Sequence, residues 1–426
     1  MSFLPEEVSA YFSPVPSRDR NELPDFPESV FTRRSYYDQI TGPLSEASRL
    51  EEELINEPGE NYMVGVAAQS KDEEIRFYFS STGALYPENA SRGDYEIVRS
   101  KPDGKFISLK IYLKSEEDGY LLLEPEEDDY SRMNIYLFGN LFQRDIRVPF
   151  EFKELLRISF TTLMKSTSGY VDWDFYLPDP IISELSTGES MVKAVRSYLH
   201  GLGDADDGAI DRFGRYVYIE DESLQLGEEG LNCSGFAKWV VDGIYYTKTG
   251  SLLPIHILKK THPDIRGNRW SEKYEEERQP YFGLDWTRNL ALAMGKLRDI
   301  RASINSVDVD KLTYHEYKKN VGYPVTSLPT VLYELAVKER EHSYLGSVNG
   351  LSREGDDLRT HYHVAVLFSW VDAEGELEVS VMERGKETPL DVFIEKYEDE
   401  FIHLVRVKTE GAFSPPTRDL DPLLNR

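Results

Sequence analysis

The chain contains a single cysteine, Cys233, in a setting that favours thiol chemistry. Asn232 precedes it, where the N-cap residue of a helix belongs. A cysteine in the first helical turn meets free N–H groups and the positive end of the helix dipole, which favour thiolate over thiol. A small buried residue on an amphipathic helix is the alternative interpretation. The apolar residues that define this helix share one face: Phe236, Ala237, Val240, Val241 and Ile244.

His363 is the histidine best placed to act as a base for such a thiol. It begins a nearly continuous apolar run over 364–371, which predicts a buried strand. His361 would share a face with His363 on a regular strand and is its rival. Two such histidines could also form half of a metal site, but the sequence offers no further ligands at a supportive spacing, so we predict no metal and no cofactor. His403 alternates with apolar neighbours and is predicted to be a packing residue.

Glu383 is the candidate partner of His363. It lies on a returning strand over 376–384, on the side that carries the apolar residues, where a carboxylate needs a partner or a task. If residues 373–375 form the loop, Glu383 shares a face with His363, whereas a loop of two or four residues would separate them. The spacing therefore permits a Cys-His-Glu triad, in which His363 takes the thiol proton and Glu383 orients the imidazole.

Composition excludes several classes of function. The 49 basic and 76 acidic residues give a net charge of −27, so we expect no nucleic-acid partner. The sequence has no apolar run of the length that spans a membrane. Its first residues lack a basic region followed by an apolar one. The sequence predicts a cytoplasmic location unless an export signal has been removed.

Length and patterning predict several domains. Residues 1–59 are expected to form an irregular leader with one short helix over 45–56. Alternating apolar and polar residues predict an all-β accessory domain with a linker over 60–184. Helical and strand patterns alternate over 185–426, which predicts an α+β domain.

The stretch Asn232-Cys233-Ser234-Gly235-Phe236 resembles the nucleophile motif of the NlpC-type cell-wall cysteine peptidases, whose usual form is Asp-Cys-Ser-Gly-Phe or Asp-Cys-Ser-Gly-Leu. The segment His363-Val-Ala-Val resembles the family's His-Val-Gly-Ile strand, whose histidine is the catalytic base. The resemblance covers about residues 185–426. It implies a papain-like fold with a large insertion at about 250–350.

The resemblance also implies a function: cleavage of an amide bond in bacterial cell-wall peptides, of the γ-D-glutamyl endopeptidase type, in the periplasm or outside the cell. Glu383 takes the third position, where the family more often has His, Asn or Gln. Tyr218 is the candidate for a tyrosine that the family carries on a Tyr-x-Trp-Gly-Gly motif, although the Gly-Gly pair is missing here. Tyr218, Ser234 and the backbone N–H of Cys233 are then candidates for contacts to substrate or oxyanion.

Two alternatives stay open at the level of sequence. One is a Cys-His amidase or acyltransferase that acts on another substrate. The other is a catalytically inactive papain-like domain that serves as a binding or scaffold protein of the cell envelope. The missing Gly-Gly pair and the long insertion favour the inactive domain, whereas the intact Cys-Ser-Gly-Phe and His363 favour the enzyme.

Overall fold

The computed structural model describes residues 26–83, 90–114, 119–126, 129–179, 186–262, 279–351, 358–410 and 412–416. These residues divide into two compact units. The β unit comprises the described residues up to 179 together with 373–376, and the α+β unit comprises the others from 186 onward. In the described part of the chain, no helix is both long and apolar enough to span a membrane.

The β unit is built around an eight-stranded antiparallel sheet in which each strand pairs with the next along the chain. Buried and less buried residues alternate along the strands Glu74–Ser80, Gly119–Pro125 and Ser131–Leu137, which explains the pattern in that part of the sequence. The strands are β1 (Glu53–Asn56), β2 (Met63–Lys71), β3 (Glu74–Ser80), β4 (Tyr95–Ser100), β5 (Phe106–Tyr112), β6 (Gly119–Pro125), β7 (Ser131–Leu137) and β8 (Asn140–Val148). Helices precede and follow them: α1 (Val30–Thr41), α2 (Leu44–Ala47), α3 (Phe152–Leu155), α4 (Phe160–Thr167) and α5 (Trp173–Tyr176).

The leader differs from the sequence prediction. Residues 30–41 form helix α1 instead of an irregular segment, and residues 1–25 lie outside the described ranges. The helix expected over 45–56 is wrong, since α2 ends at Ala47 and β1 occupies the last four positions. Pairing of β1 with β2 overrides the helical pattern, and Leu54 on β1 is 46% exposed.

The α+β unit contains a six-stranded sheet in the order β11-β16-β12-β13-β14-β15. Its strands, with the separate pair β9 and β10, are β9 (Gly208–Ile210), β10 (Tyr216–Tyr218), β11 (Tyr323–Pro324), β12 (His342–Leu351), β13 (Arg359–Val371), β14 (Leu377–Glu383), β15 (Lys386–Thr388) and β16 (Phe401–Lys408). The helices are α6 (Gly188–Leu199), α7 (Cys233–Thr249), α8 (Ile255–Leu258), α9 (Phe282–Lys296), α10 (Ile304–Val307), α11 (Leu328–Lys338) and α12 (Leu390–Lys396). The α+β class is therefore observed.

Helices cover both faces of this sheet. Successive residues of the central strand β13 point to opposite sides and therefore pack against different helices. Val364 and Val366 pack in a core with residues of α6, α7 and α9. Ala365 and Leu367 pack in a second core with residues of α11 and α12. A strand buried on both sides explains the nearly continuous apolar run in the sequence.

Residues 250–350 do not form an insertion that leaves a complete core. They supply β12, which lies between β16 and β13 in the sheet. They also supply α9 and α11, which pack in the two different cores. Without this segment the sheet would lose a central strand and both cores would lose a helix.

Candidate active site

Helix α7 begins at Cys233, as the sequence predicts. The side-chain oxygen of Asn232 accepts a hydrogen bond of 2.7 Å from the backbone N–H of Gly235, which caps the helix. A Cβ atom added to Gly235 would lie 2.0 Å from the carbonyl oxygen of Gly208, so β9 approaches too closely for any side chain there. The glycine of the Cys-Ser-Gly stretch thus lets β9 pack against the first turn.

Strands β13 and β14 hold His363 and Glu383 in the register expected from a three-residue loop. Val371 pairs with Leu377 and Val366 with Met382, and Gly375 at the end of the loop has a φ of +85°. The two candidate side chains consequently share a face, and His363 Nε2 lies 3.4 Å from Glu383 Oε1.

A β-bulge separates His363 from its rival His361. Val348 pairs with His363 and the next residue, Asn349, pairs with His361, so Tyr362 is an extra residue on β13. Cross-strand partners share a face and successive residues do not, so the two histidines lie on opposite faces. The expectation that they share a face is wrong, because the bulge interrupts the regular alternation of side chains along β13.

Three groups near the sulfur of Cys233 favour its thiolate: the His363 imidazole, the backbone N–H of Val364 and the Ser234 hydroxyl. Burial raises the pKa of the thiol, but the hydrogen bond and charge of His363 together with the other two donors outweigh it. The pKa of Cys233 is therefore lowered from its ordinary value. Cys233 itself remains partly exposed, as a nucleophile requires.

His363 titrates in the opposite direction. Burial lowers its pKa, but hydrogen bonds and charge interactions with Cys233 and Glu383 outweigh burial. The pKa of His363 is therefore raised from its ordinary value to about 9. Burial raises the pKa of Glu383, while His363 and Lys396 lower it below its ordinary value overall. These shifts favour a thiolate, an imidazolium and a carboxylate together at neutral pH.

His363 and Glu383 form a long ion pair. Its 3.4 Å separation exceeds the usual length of a charge-assisted hydrogen bond. Lys396 holds Glu383 Oε1 at 2.9 Å, whereas Glu383 Oε2 is buried without a hydrogen-bond partner among the described residues. Tyr397 stacks on the imidazole with ring centroids 5.5 Å apart. The ring plane is thus fixed while the carboxylate contact is long, as is common in unliganded active sites.

Arg384 adds a positive charge beside the sulfur. It lies in the two-residue turn between β14 and β15, where Arg384 and Gly385 have φ values of +48° and +76°. Its guanidinium donates to Asp204 at 2.9 Å. Burial lowers the pKa of Arg384, but Asp204 and Asp206 raise it above its ordinary value, and a negative charge on Cys233 adds a smaller rise. By reciprocity the guanidinium weakly favours the thiolate.

The other site residues assigned from the sequence have different surroundings. Ser234 is 3% exposed, and its hydroxyl contacts the sulfur. Tyr218 lies on β10 opposite Gly208 with 39% of its side chain exposed. Among the described residues, no hydrogen bond joins Tyr218 to Cys233. His403, predicted to pack, is fully buried and bonds to the hydroxyl of Tyr317 at 3.0 Å.

Lys396, Arg384 and the N–H of Val364 were not predicted as site groups from the sequence. A signal for Arg384 exists: Arg384 and Gly385 separate two short strand patterns, and an x-Gly pair there indicates a tight hairpin turn. Lys396 ends a helix whose start the sequence marks with a proline at 389. Which residue its ammonium reaches depends on how α12 packs, so no local pattern identifies it.

Comparison with known proteins gives one match, and it lies in the β unit. Residues 22–175 match a family described as a domain of unknown function (DUF8515). The match covers less than half of the chain and does not include Cys233. No curated protein and no solved structure matches the chain significantly.

Proposed function

We propose that the α+β unit is a thiol hydrolase of the NlpC type, papain-like in fold, that cleaves an amide bond in bacterial cell-wall peptides. The observation that carries the proposal is the arrangement around one imidazole. The imidazole of His363 lies beside the sulfur at the start of α7 and favours its thiolate, and His363 Nε2 lies 3.4 Å from Glu383 Oε1. Nucleophile, base and orienting carboxylate are the three parts that such catalysis requires.

The proposed reaction begins with the thiolate of Cys233, which attacks the amide carbonyl carbon and forms a tetrahedral intermediate. N–H groups at the start of α7 lack intrahelical acceptors and can donate to its oxyanion. The C–N bond then breaks as the His363 imidazolium gives its proton to the leaving amine. Water, deprotonated by His363, hydrolyses the acyl-enzyme and restores the thiolate. Every proton passes through the side chain whose pKa lies near 9.

The substrate class rests on the stretch from Asn232 to Phe236 and on the strand that begins at His363, both of which resemble the cell-wall peptidases. A γ-D-glutamyl bond in a peptidoglycan peptide is the proposed target, and the periplasm or cell exterior is the proposed location. The N-cap bond of Asn232 supports this assignment, since the uncharged residue performs the capping role of the family's aspartate.

Digestion of purified peptidoglycan tests the proposal. The wild type should release peptides with a new amine terminus, detected by mass spectrometry, and Cys233→Ser should release none. The double variant Lys105→Gln/Arg144→Gln, which changes two exposed residues of the β unit, serves as the control and should match the wild type. Equal release by wild type and Cys233→Ser would contradict the proposal.

An amidase or acyltransferase that acts on another acyl group is the second candidate. The specific observation in its favour is at β10, where Tyr218 is 39% exposed and has no hydrogen bond to Cys233 among the described residues, so the substrate contact expected from the family is not reproduced. This candidate predicts a Cys233 that iodoacetamide alkylates rapidly near neutral pH in a protein that leaves peptidoglycan intact. A Cys233 that resists alkylation would instead favour the inactive binding or scaffold protein.

A further inference from the structure

A cavity of about 600 Å³ lies in the α+β unit, away from Cys233. Its walls come from the end of α9, the segment that leads into α10, and the strands β12 and β16. This volume falls in the range of small-molecule sites. Residues of both secondary-structure types surround it, so its shape is fixed by the packed core of the unit.

Cations dominate the charged lining of this cavity. Arg298, Arg301, Arg406 and Lys408 line it, against Asp299 as the acidic residue. The whole chain has the opposite balance, with 49 basic and 76 acidic residues. A basic pocket on an acidic protein concentrates field lines on one site and attracts anions there.

The cations differ in how firmly other groups hold them. Arg406 is buried against Glu339 with contacts of 2.8 to 3.0 Å, which fixes its position. Arg301 pairs with Asp299 at 3.2 Å, but its side chain is 87% exposed, so this pair is weak and exchangeable. Lys408 pairs with Glu341 at 2.7 Å, whereas Arg298 is exposed and has no ion pair with any described residue. Arg298 and Arg301 therefore remain available to a ligand.

The floor of the cavity is apolar. Ala291, Met294 and Val307 line it, and each is buried. His342 also lines it, and its buried Nδ1 has no hydrogen-bond partner among the described residues. Such an atom is costly to leave unpaired, and a polar group of a ligand would satisfy it.

The cavity is separate from the proposed active site. The indole N–H of Trp286, near the start of α9, donates to the carbonyl of Ser234 at 2.9 Å. Gly295, on the cavity wall, lies nine residues further along the same helix, a rise of about 13 Å. Binding of a ligand in this cavity would consequently not depend on the chemistry proposed for Cys233.

We propose that this cavity binds a small organic phosphate. The dianionic phosphate would lie between Arg298 and Arg301, since guanidinium groups bind phosphate oxygens through paired N–H donors. The apolar part of the ligand would lie on Met294 and Val307. A ligand that carries both a phosphate and an apolar group would match the cationic residues and the apolar residues of the cavity at the same time.

Isothermal titration of the full chain with phenyl phosphate tests this inference. Phenyl phosphate should bind saturably and more tightly than inorganic phosphate, which lacks the apolar part, or benzoate, which has a single charge. The variant Arg298→Gln/Arg301→Gln should bind phenyl phosphate about tenfold more weakly, because it loses charge-assisted hydrogen bonds. Both arginines are exposed, so the variant should fold, which circular dichroism checks.

The control is Lys105→Gln/Arg144→Gln, which makes the same change of net charge at exposed positions of the β unit. It should bind phenyl phosphate as the wild type does. Equal loss of binding in both double variants would show a general charge effect and overturn the site. Absence of saturable binding at millimolar phenyl phosphate, or tighter binding of benzoate, would overturn the ligand class.

Discussion

Glu96 of the β unit and Glu383 of the α+β unit are both buried carboxylates, but their hydrogen bonding differs. Both oxygens of Glu96 are paired, one with Arg76 at 2.7 Å and the other with the Tyr112 hydroxyl at 2.9 Å. Glu383 leaves one oxygen without a hydrogen bond among the described residues and stands 3.4 Å from His363. A saturated buried charge supports the fold, whereas an incompletely paired one retains capacity for a reaction.

The same contrast separates other charged residues of the two units. Arg33, buried in the β unit, donates to the carbonyls of Leu156 and Ile158 at 3.0 Å and lies over the ring of Tyr95. Arg384 of the α+β unit is partly exposed and lies near the sulfur of Cys233. The family match falls on the β unit, while the candidate chemistry falls on the α+β unit. We infer that the role of the matched domain is not to supply residues of the candidate triad.

The largest expected effect is on thiol reactivity and concerns the α+β unit alone. His363→Ala should slow iodoacetamide alkylation of Cys233 near neutral pH by about 100-fold, because burial raises the pKa of the thiol once the imidazole is gone. Stopped-flow or mass-spectrometric alkylation rates measure this. The β-unit variant Glu96→Gln should alkylate like the wild type. Equal rates for His363→Ala and wild type would mean that the imidazole does not activate the sulfur.

Exchange of the two carboxylates for amides sharpens the comparison directly. Glu383→Gln should lower the hydrolysis rate about tenfold, because the imidazolium loses a stabilising charge. Glu96→Gln should instead lower the free energy of unfolding by about 1–3 kcal/mol with the rate unchanged. Denaturant titration and initial rates, measured on both variants, should give opposite patterns. If both variants changed the rate and the free energy of unfolding in the same way, the proposed difference between Glu96 and Glu383 would be contradicted.

The pH profile reports on the same imidazole. Hydrolysis should fall to about half its plateau near pH 9, since His363 has a pKa of about 9 and must be protonated to release the amine. The acidic limb should lie below the ordinary pKa of a thiol, because that of Cys233 is lowered. In Glu383→Gln the alkaline limb should move to lower pH. An alkaline limb that Glu383→Gln leaves in place would assign it to another group.

The smallest expected effect is at Arg384. Arg384→Gln should slow alkylation of Cys233 about twofold near neutral pH, because a partly exposed charge is screened by solvent. The difference from wild type should shrink as salt is added. Arg144→Gln, an exposed arginine of the β unit, is the matched control and should alter nothing. A salt-independent loss would indicate a role in packing and not in electrostatics.

Features of the α+β unit that depend on near neighbours could be predicted from the sequence. The start of α7 follows from the capping side chain of Asn232 and the periodicity behind it. The pairing of β13 with β14 follows from a three-residue loop and the alternation of the returning strand, which together bring Glu383 to the face of His363. Caps, loops and periodicity are local, so a single sequence carries them.

Only the tertiary structure decided which groups meet at the sulfur. The bulge at Tyr362 reverses the face of His361, and no alternation pattern reveals an extra residue in a strand. Lys396 reaches Glu383 because α12 packs near the end of β14. Residues 250–350 enter the centre of the sheet because β12 finds its partners on strands that follow it in the chain. Pairing between distant segments depends on the packing of the whole unit, which a local pattern does not determine.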